Sequence, residues 1–510
     1  MAPPNPTKIL LKNGTLLIHG ENDKVTPRRA DLLIEGDRIA QIGHNIAANS
    51  NTKVLDCEGK IISPGFISTH HHLWQTQLKG RHANHTLLDY LPRGNYVGAL
   101  MTAEDVFWGE LAGALEAVDG GITTAVDHAH ANVGPEYPPT MIQALAASGI
   151  RAVYCYCAPR KVTWSPFSAS DDYTSPDALA GWKSLAAQAP FGSGRVQLGY
   201  SADNIWLPAD QLKPLYAELR AAGAKVITTH ACSGPSFGSG PSAAQILAGH
   251  DLLGPDVILS HANFPQDGDA ALIANGGAWI SATPNTEIQM GWPPVALLPE
   301  FEARSSLGVD THTWGSAFMP GQMRLGLQHA RHERQGELRK EGKWSRRTGI
   351  DVEQAFNLGT VGGARAVGME GELGRIKVGA KADLVVFDTD STSMFPAAEE
   401  NPVAAIVLHS SERDVETVIV GGVVRKEGGK LLPVSVANDV QGAKDLGLEG
   451  TQLEWKEVAK KLLKSRTSII EREGDVDMDA AEESILNSGF MNQKALVDYA
   501  QQRLDKFRLY

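Results

Sequence analysis

The chain has few cysteines: Cys57, Cys155, Cys157 and Cys232 are the whole complement in 510 residues. Four thiols so spaced exclude a disulfide framework and predict a reducing, cytoplasmic setting. Long apolar runs are also missing. None reaches the roughly 18 residues that suggest a membrane span, and the opening MAPPNPTKILLKNG has no hydrophobic signal core. Basic excess is absent too, with 47 Lys and Arg against 59 Asp and Glu and a formal net charge of −12. That balance disfavours nucleic acid and anionic membranes as partners. The expected partners are a small-molecule substrate and further copies of the chain, as a dimer or tetramer. Hydrophobic residues make up 42% and charged residues 21%, so most of the chain should fold. The length suits one large barrel with satellites better than one small core.

What is present is a regular alternation. Residues 60–69 (KIISPGFIST), 121–130 (GITTAVDHAH), 151–159 (RAVYCYCAP) and 196–204 (VQLGYSADN) read as short apolar strands. So do 225–230 (KVITTH), 257–261 (VILSH), 277–284 (GAWISATP) and 305–312 (SSLGVDTH). Stretches of helical periodicity, such as AEDVFWGELAGALEAV and ADQLKPLYAELRAAG, lie between several of them. Eight strand–helix units predict an α/β fold, a (β/α)8 TIM barrel with its chemistry at the C-terminal strand ends.

The flanks differ. The first 62 residues are β-rich runs broken by Asn-Gly, Gly-Asp and Glu-Gly turns, and 371–388 with 414–432 share that character. Neither cluster is long enough for a comfortable sheet pair, so both are expected to pack as one small β-sandwich built from the two chain ends. The predicted division is 1–62 and 371–435 for the sandwich halves, 63–370 for the barrel and 436–510 for a helical C-terminal extension. Within the extension, 453–472 and 493–507 have helical periodicity, and the acidic stretch 471–484 reads as a mobile connector. A solvated appendage or a subunit contact is the plain expectation for it.

PGFISTHHHLWQTQLKG, residues 64–80, sets three histidines behind an apolar run. Alternate residues of a strand share a face, so His70 and His72 point together and His71 points elsewhere. Two such imidazoles can bind Zn2+ or a similar borderline ion, and a polar loop is the bland alternative. Other strands end in kind: the fifth in His230, the sixth in His261, and the eighth carries Asp310. Singly, each is an ordinary hydrogen-bonding or turn residue. Together they converge on one mouth if the barrel closes.

These motifs also resemble a known family. PGFISTHHH resembles the Pro-Gly-apolar-apolar-x-x-His-x-His strand of the amidohydrolase superfamily, and GITTAVD its Gly-x-Thr-Thr-x-x-Asp strand. Residues 356–388 (FNLGTVGGARAVGMEGELGRIKVGAKADLVVFD) resemble its passage from barrel to sandwich, and VETVIVGGVVRKEGGKLL its last hairpin. As a set, over roughly residues 8–432, the chain is most similar to the branch of triazine hydrolases and cytosine, guanine and adenosine-type deaminases. The resemblance implies that His70, His72, His230 and Asp310 ligate one metal and that His261 hydrogen-bonds the attacking water. It also implies that Gln75 contacts the substrate edge. Three neutral imidazoles and a carboxylate leave a position for water, whose pKa the cation lowers. Asp310 can then take up and deliver the proton, while His261 stabilises the developing oxyanion. Two-metal members carry a bridging lysine on the fourth strand, which VQLGYSADN lacks. One metal is expected, Zn2+ before Fe2+.

One departure matters. The resembling enzymes continue the fifth strand as His-x-x-Glu, whose glutamate protonates a ring nitrogen. Here the stretch is HACSGP, with Ser233 at that place, and a serine hydroxyl does not shuttle protons at neutral pH as a carboxyl group does. Ser233 keeps a substrate contact at most. Glu287, where the family commonly shows asparagine, and His312, two residues past Asp310, are the expected replacements. His128 and His130 are expected to contact substrate or support their strand, and Trp206, Trp292 and Trp314 to wall an aromatic-accepting pocket. The leading expectation is a mononuclear metal hydrolase cleaving a non-peptide C–N bond of a small cyclic or heteroaromatic molecule. A metal-dependent lyase or isomerase on the same scaffold, and a silent binding protein, are the alternatives.

Overall fold

The structure, a computed structural model, describes residues 8–173 and 175–497. Its centre is a ring of eight parallel strands: Phe66–His71, Ile122–Ala129, Arg151–Tyr156, Val196–Ser201, Ile227–His230, Val257–Ser260, Trp279–Ala282 and Ser305–Leu307. Each pairs in parallel with the next. Each of the eight apolar runs read from the sequence therefore supplies one strand of this sheet. The strands are almost entirely buried because helices cover their outer faces while side chains fill the interior.

The ring closes between its last and first strands. Asp310 N–H donates to His70 O at 2.9 Å, and His72 N–H donates to Asp310 O at 2.7 Å. This seam needs a glycine. A Cβ on Gly308 would lie 2.6 Å from His70 O and 2.8 Å from His70 N, both backbone atoms.

The run 60–69 is two strands, not one. Lys60–Pro64 belongs to the outer sheet, and Gly65 is the break before Phe66–His71. The outer sheet has nine strands drawn from both ends of the chain. Its organising element is Lys8–His19, whose register shifts between Leu11 and Gly14. Before the shift it pairs with Thr52–Asp56, and after it with Lys60–Pro64, which in turn pairs with Leu384–Asp388. The sheet so folds over its own apolar core, which includes Leu11, Leu16, Leu32, Ile62, Leu384 and Ile419. The expected sandwich from both chain ends is present.

The C-terminal extension packs closely on the barrel. Helix Trp455–Glu473 lies against helix Ala103–Asp119, burying Val458, Ser465 and Ile469. The acidic stretch 471–484, expected as a connector, instead runs into a second helix, Met478–Asn487, because Ala481 and Ile485, four apart, give it a buried face. The helix expected over 493–507 lies, from residue 498 onward, outside the described residues. Among the described residues no helix is long and apolar enough to cross a membrane.

Two carboxyl groups face each other in the barrel wall: Glu110, on helix Ala103–Asp119, and Asp127, on the second strand, both fully buried. Burial, reinforced by the neighbouring Asp127 charge, pushes Glu110 well above the usual carboxylate range; burial also pushes Asp127 up to about 7. A carboxyl with a higher pKa folded than unfolded holds its proton better in the fold, so its contribution is complete in acid and lost as pH rises. Stability should therefore decline between the unfolded value of about 4 and the folded value of about 7. Glu110→Gln should flatten that decline in a series of melting curves against pH; an unchanged slope would refute the raised pKa of Glu110.

Gly308→Ala tests the seam. Overpacking two backbone strands should cost about 1–3 kcal/mol, seen as a lower Tm together with a lower metal content. Wild-type melting would show that the seam relaxes without penalty.

Candidate metal centre

Four histidines at the strand ends share one device: Nδ1 is occupied and Nε2 is left over. His72 Nδ1 donates to His128 O at 2.7 Å, and His230 Nδ1 donates to Asp203 Oδ2 at 3.0 Å. His70 Nδ1 meets Ser260 Oγ at 2.8 Å, and His261 Nδ1 meets Thr283 Oγ1 at 3.0 Å and Glu287 Oε1 at 3.3 Å. A ring whose Nδ1–H is held by an acceptor presents an unprotonated Nε2, the form that binds metal.

Two of the free atoms meet at Asp310. Its Oδ1 lies 3.4 Å from His70 Nε2 and 3.2 Å from His72 Nε2. The ligand atoms of His70, His72 and Asp310 fall within 4.8 Å of one another, and so do those of His70, His230 and His261. His70 Nε2 is buried without a hydrogen-bond partner. A buried nitrogen left so costs roughly 1–3 kcal/mol, and a cation at this point removes the cost. The donor set fits a borderline ion such as zinc.

Electrostatics agree with a ligand set. Burial holds His70 well below its ordinary pKa, so the ring is neutral. Burial opposes charge on Asp310 as well, but the His70 and His72 imidazoles beside it hold it well below the usual carboxylate range. Asp203 is likewise held low against burial by His230 and His128, and it raises His230 in turn. Asp310 and His261 both have left-handed backbones, with φ of 64° and 72°. Non-glycine residues adopt that conformation at a cost, and it is common where side chains are aimed for function.

A cavity of about 990 Å³ opens from this centre. His72, His230, His261 and Asp310 form its floor, and Ser233 and Trp292 lie on its wall with the exposed Trp206. Several expected residues lie elsewhere. Glu287 is fully buried behind His261, where it also accepts Thr283 N–H at 2.8 Å, and it does not line the cavity. His312 bonds to His71 Nε2 at 3.1 Å and to Thr76 Oγ1 at 2.9 Å, away from the mouth. The alternation that placed it in the mouth ends early, because the strand stops at Leu307 and Asp310 turns left-handed. His71 points away from the centre, as strand alternation requires.

Gln75 sits on the short helix Leu73–Leu78 and donates to Tyr90 OH at 2.8 Å. Trp314 packs on the same Tyr90 ring, so both lie behind that residue, which itself lines the cavity. His128 turns its Nε2 to Asp203 at 3.0 Å and supports the centre without lining the cavity, whereas His130 lines it and stacks on His72. Asp203 was missed. It follows the fourth strand by two residues, and the strand-end rule that found His230 could have found it.

Eight parallel strands with a metal-ready cluster at their C-terminal ends place the candidate centre where (β/α)8-barrel enzymes carry their active sites. Residues 61–425 match the amidohydrolase family. The 5-methylthioadenosine/S-adenosylhomocysteine deaminase of Acetivibrio thermocellus is 27% identical over 468 residues, 89% of this chain and 100% of that protein. The 5'-deoxyadenosine deaminase of Methanobrevibacter smithii is 26% identical over 424 residues, covering 79% and 89%. Two solved structures share the fold. An adenosine deaminase from Xanthomonas campestris with bound zinc superposes with a TM-score of 0.74 at 16% identity, covering 92% of this chain and 100% of that one. Atrazine chlorohydrolase from Arthrobacter aurescens complexed with zinc gives 0.70 at 17% identity, covering 90% and 100%. The chain belongs to the amidohydrolase family. It is an enzyme, a hydrolase of carbon–nitrogen bonds other than peptide bonds, and this membership favours hydrolysis over a lyase or isomerase.

Asp203→Asn tests the support of His230. It removes the charge and half of the acceptor capacity behind that ring, so metal affinity should fall about 10- to 100-fold in a chelator competition. Unchanged affinity would remove Asp203 from the centre.

Proposed function

We propose that the protein is a mononuclear zinc hydrolase that releases an amine from the ring carbon of a small heteroaromatic molecule. His70, His72, His230 and Asp310 would hold the ion, with Fe2+ as the second choice. The observation that carries this reading is the set of Nε2 atoms left free around His70, with Asp310 beside two of them, at an aromatic-walled cavity. When bound, the ion lowers the pKa of a water towards neutrality.

The remaining work falls to side chains. Asp310 accepts the proton of that water and passes it to the departing nitrogen. In the tautomer whose Nδ1 accepts from Thr283 Oγ1, His261 donates Nε2–H to the oxygen that adds to the ring carbon. Glu287 acts by positioning His261. Ser233 lies on the wall where an acid would face the ring nitrogen, and neither Glu287 nor His312 reaches that wall. A ring that carries negative charge on nitrogen without being protonated suits this site. Electron-poor rings of the triazine kind do so better than purines. The sequence relatives' names support the bond type, since both are deaminases of adenosine derivatives. All four cysteines are free and three are buried, in keeping with a reducing cytoplasm, where we place the protein as a dimer or tetramer.

The test is amine release by the zinc-loaded protein in ¹⁸O-water from aminotriazines, cytosine, guanine, adenosine and 5'-methylthioadenosine. Labelled product from aminotriazines is expected, with little from the purines. An acid at the ring nitrogen is worth about 10²–10⁴-fold, so fast purine turnover would overturn the electron-poor reading. No labelled product from any of them would overturn the hydrolase reading of the cavity. His261→Asn should lower kcat by about 10²–10³-fold with metal content unchanged, and Ser233→Ala should change kcat only a few-fold.

A further inference from the structure

Beyond residue 425, where the family match ends, the chain returns to the cavity. Helix Met478–Asn487 packs Ile485 against Leu88 and Leu91, and Leu486 joins Tyr96 and Phe167 in the same cluster. Leu91 and Tyr96 line the cavity. Arg93 pairs with both Asp479 and Glu482 of this helix. Past the helix, Asn492 N–H donates to Ser236 O at 2.8 Å and its Nδ2 donates to Pro235 O at 3.0 Å. Residues 478–492 thus bridge two walls of the cavity, the 87–96 segment and the loop after the fifth strand. Between those anchors Phe490 lines the cavity, and it is 49% exposed.

Phe490 ends a file of rings that starts at the metal centre. His261 meets Trp292 at 5.8 Å between centroids, Trp292 meets Phe237 at 6.2 Å, and Phe237 meets Phe490 edge-on at 5.8 Å. A heteroaromatic ring at the floor spans about one such spacing. It reaches Trp292 and stops short of Phe490. The cavity, about 990 Å³, matches the upper end of pockets for drug-sized ligands, roughly 300–1,000 Å³. A bare base leaves most of it empty.

We infer that residues 478–492 form the outer wall of the substrate site, and that Phe490 with Phe237 grips an apolar arm carried by the substrate. The substrate class is then a heteroaromatic amine with an extended apolar substituent, not a free base. The inference rests on the cavity being the substrate site, as proposed above, and binding measurements separate the two.

The probes are two diaminotriazines, one with an N-methyl and one with an N-phenethyl arm, titrated calorimetrically into the zinc-loaded full chain. The phenethyl probe should bind about tenfold more tightly, the gain of burying part of one phenyl ring. Phe490→Ala should erase that advantage and leave the methyl probe's Kd, the zinc content and the Tm unchanged. Phe490→Leu should keep most of it. Equal affinities in the unaltered protein, or an advantage that survives Phe490→Ala, would overturn the inference. Arm preference without amine release would overturn the hydrolase reading alone. Failure of both probes to bind would overturn both.

Discussion

The barrel is closed by hydrogen bonds between the backbones of residues 70–72 and Asp310, and the same residues carry three of the proposed ligand side chains. The seam and the centre are therefore one construction. If the eighth strand drifts from the first, Asp310 leaves His70 and His72 together with the ring closure. Gly308 is the condition for this approach, since any side chain there meets the backbone of His70. The left-handed turn at Asp310 brings the carboxylate to the imidazoles as the chain leaves the seam. Local strain is held in place by the cooperativity of the whole sheet.

Around the seam lies a second layer with a clear physical task. His128 O, Asp203, Ser260 and Thr283 come from the second, fourth, sixth and seventh strands or the residues just past them, and each occupies one Nδ1. Each imidazole so held has a fixed orientation. Where the acceptor is the His128 carbonyl or the Asp203 carboxylate, the tautomer is fixed as well. The cost is His70 Nε2, buried without a partner. A cation at the centre answers it, so ion binding and folding are coupled here.

Legibility in the sequence follows from the range of the physics involved. The eight strands were legible because burial on both faces makes each a short, nearly continuous apolar run. The histidines were legible because strand alternation and the barrel's single catalytic end are local rules. His312 was not placed correctly, since the alternation rule fails once the strand ends at Leu307. The orientation of Glu287 behind His261 depends on the hydrogen bonds at Thr283, a contact between neighbouring loops that no periodicity encodes. Asp203 was within reach of the strand-end rule, yet its meaning lies in two histidines from other strands. The helix 478–487 was hidden by its acidic composition, although its buried positions follow helical spacing.

Floor and wall of the cavity obey different constraints. The floor is made of strand ends fixed by the closed sheet, and a change there disturbs ring closure, ligand geometry and the imidazole supports together. The wall is made of the 87–96 segment, the loop after the fifth strand and the C-terminal extension, none of which takes part in closure. Walls of this kind can change without touching the chemistry below them. Ser233 marks the join, three residues past His230 and already on the loop. Under the proposed function, a hydroxyl there in place of an acid would narrow which rings can react while the floor's reaction type stays the same. Selectivity would then be decided where the fold's rigidity ends.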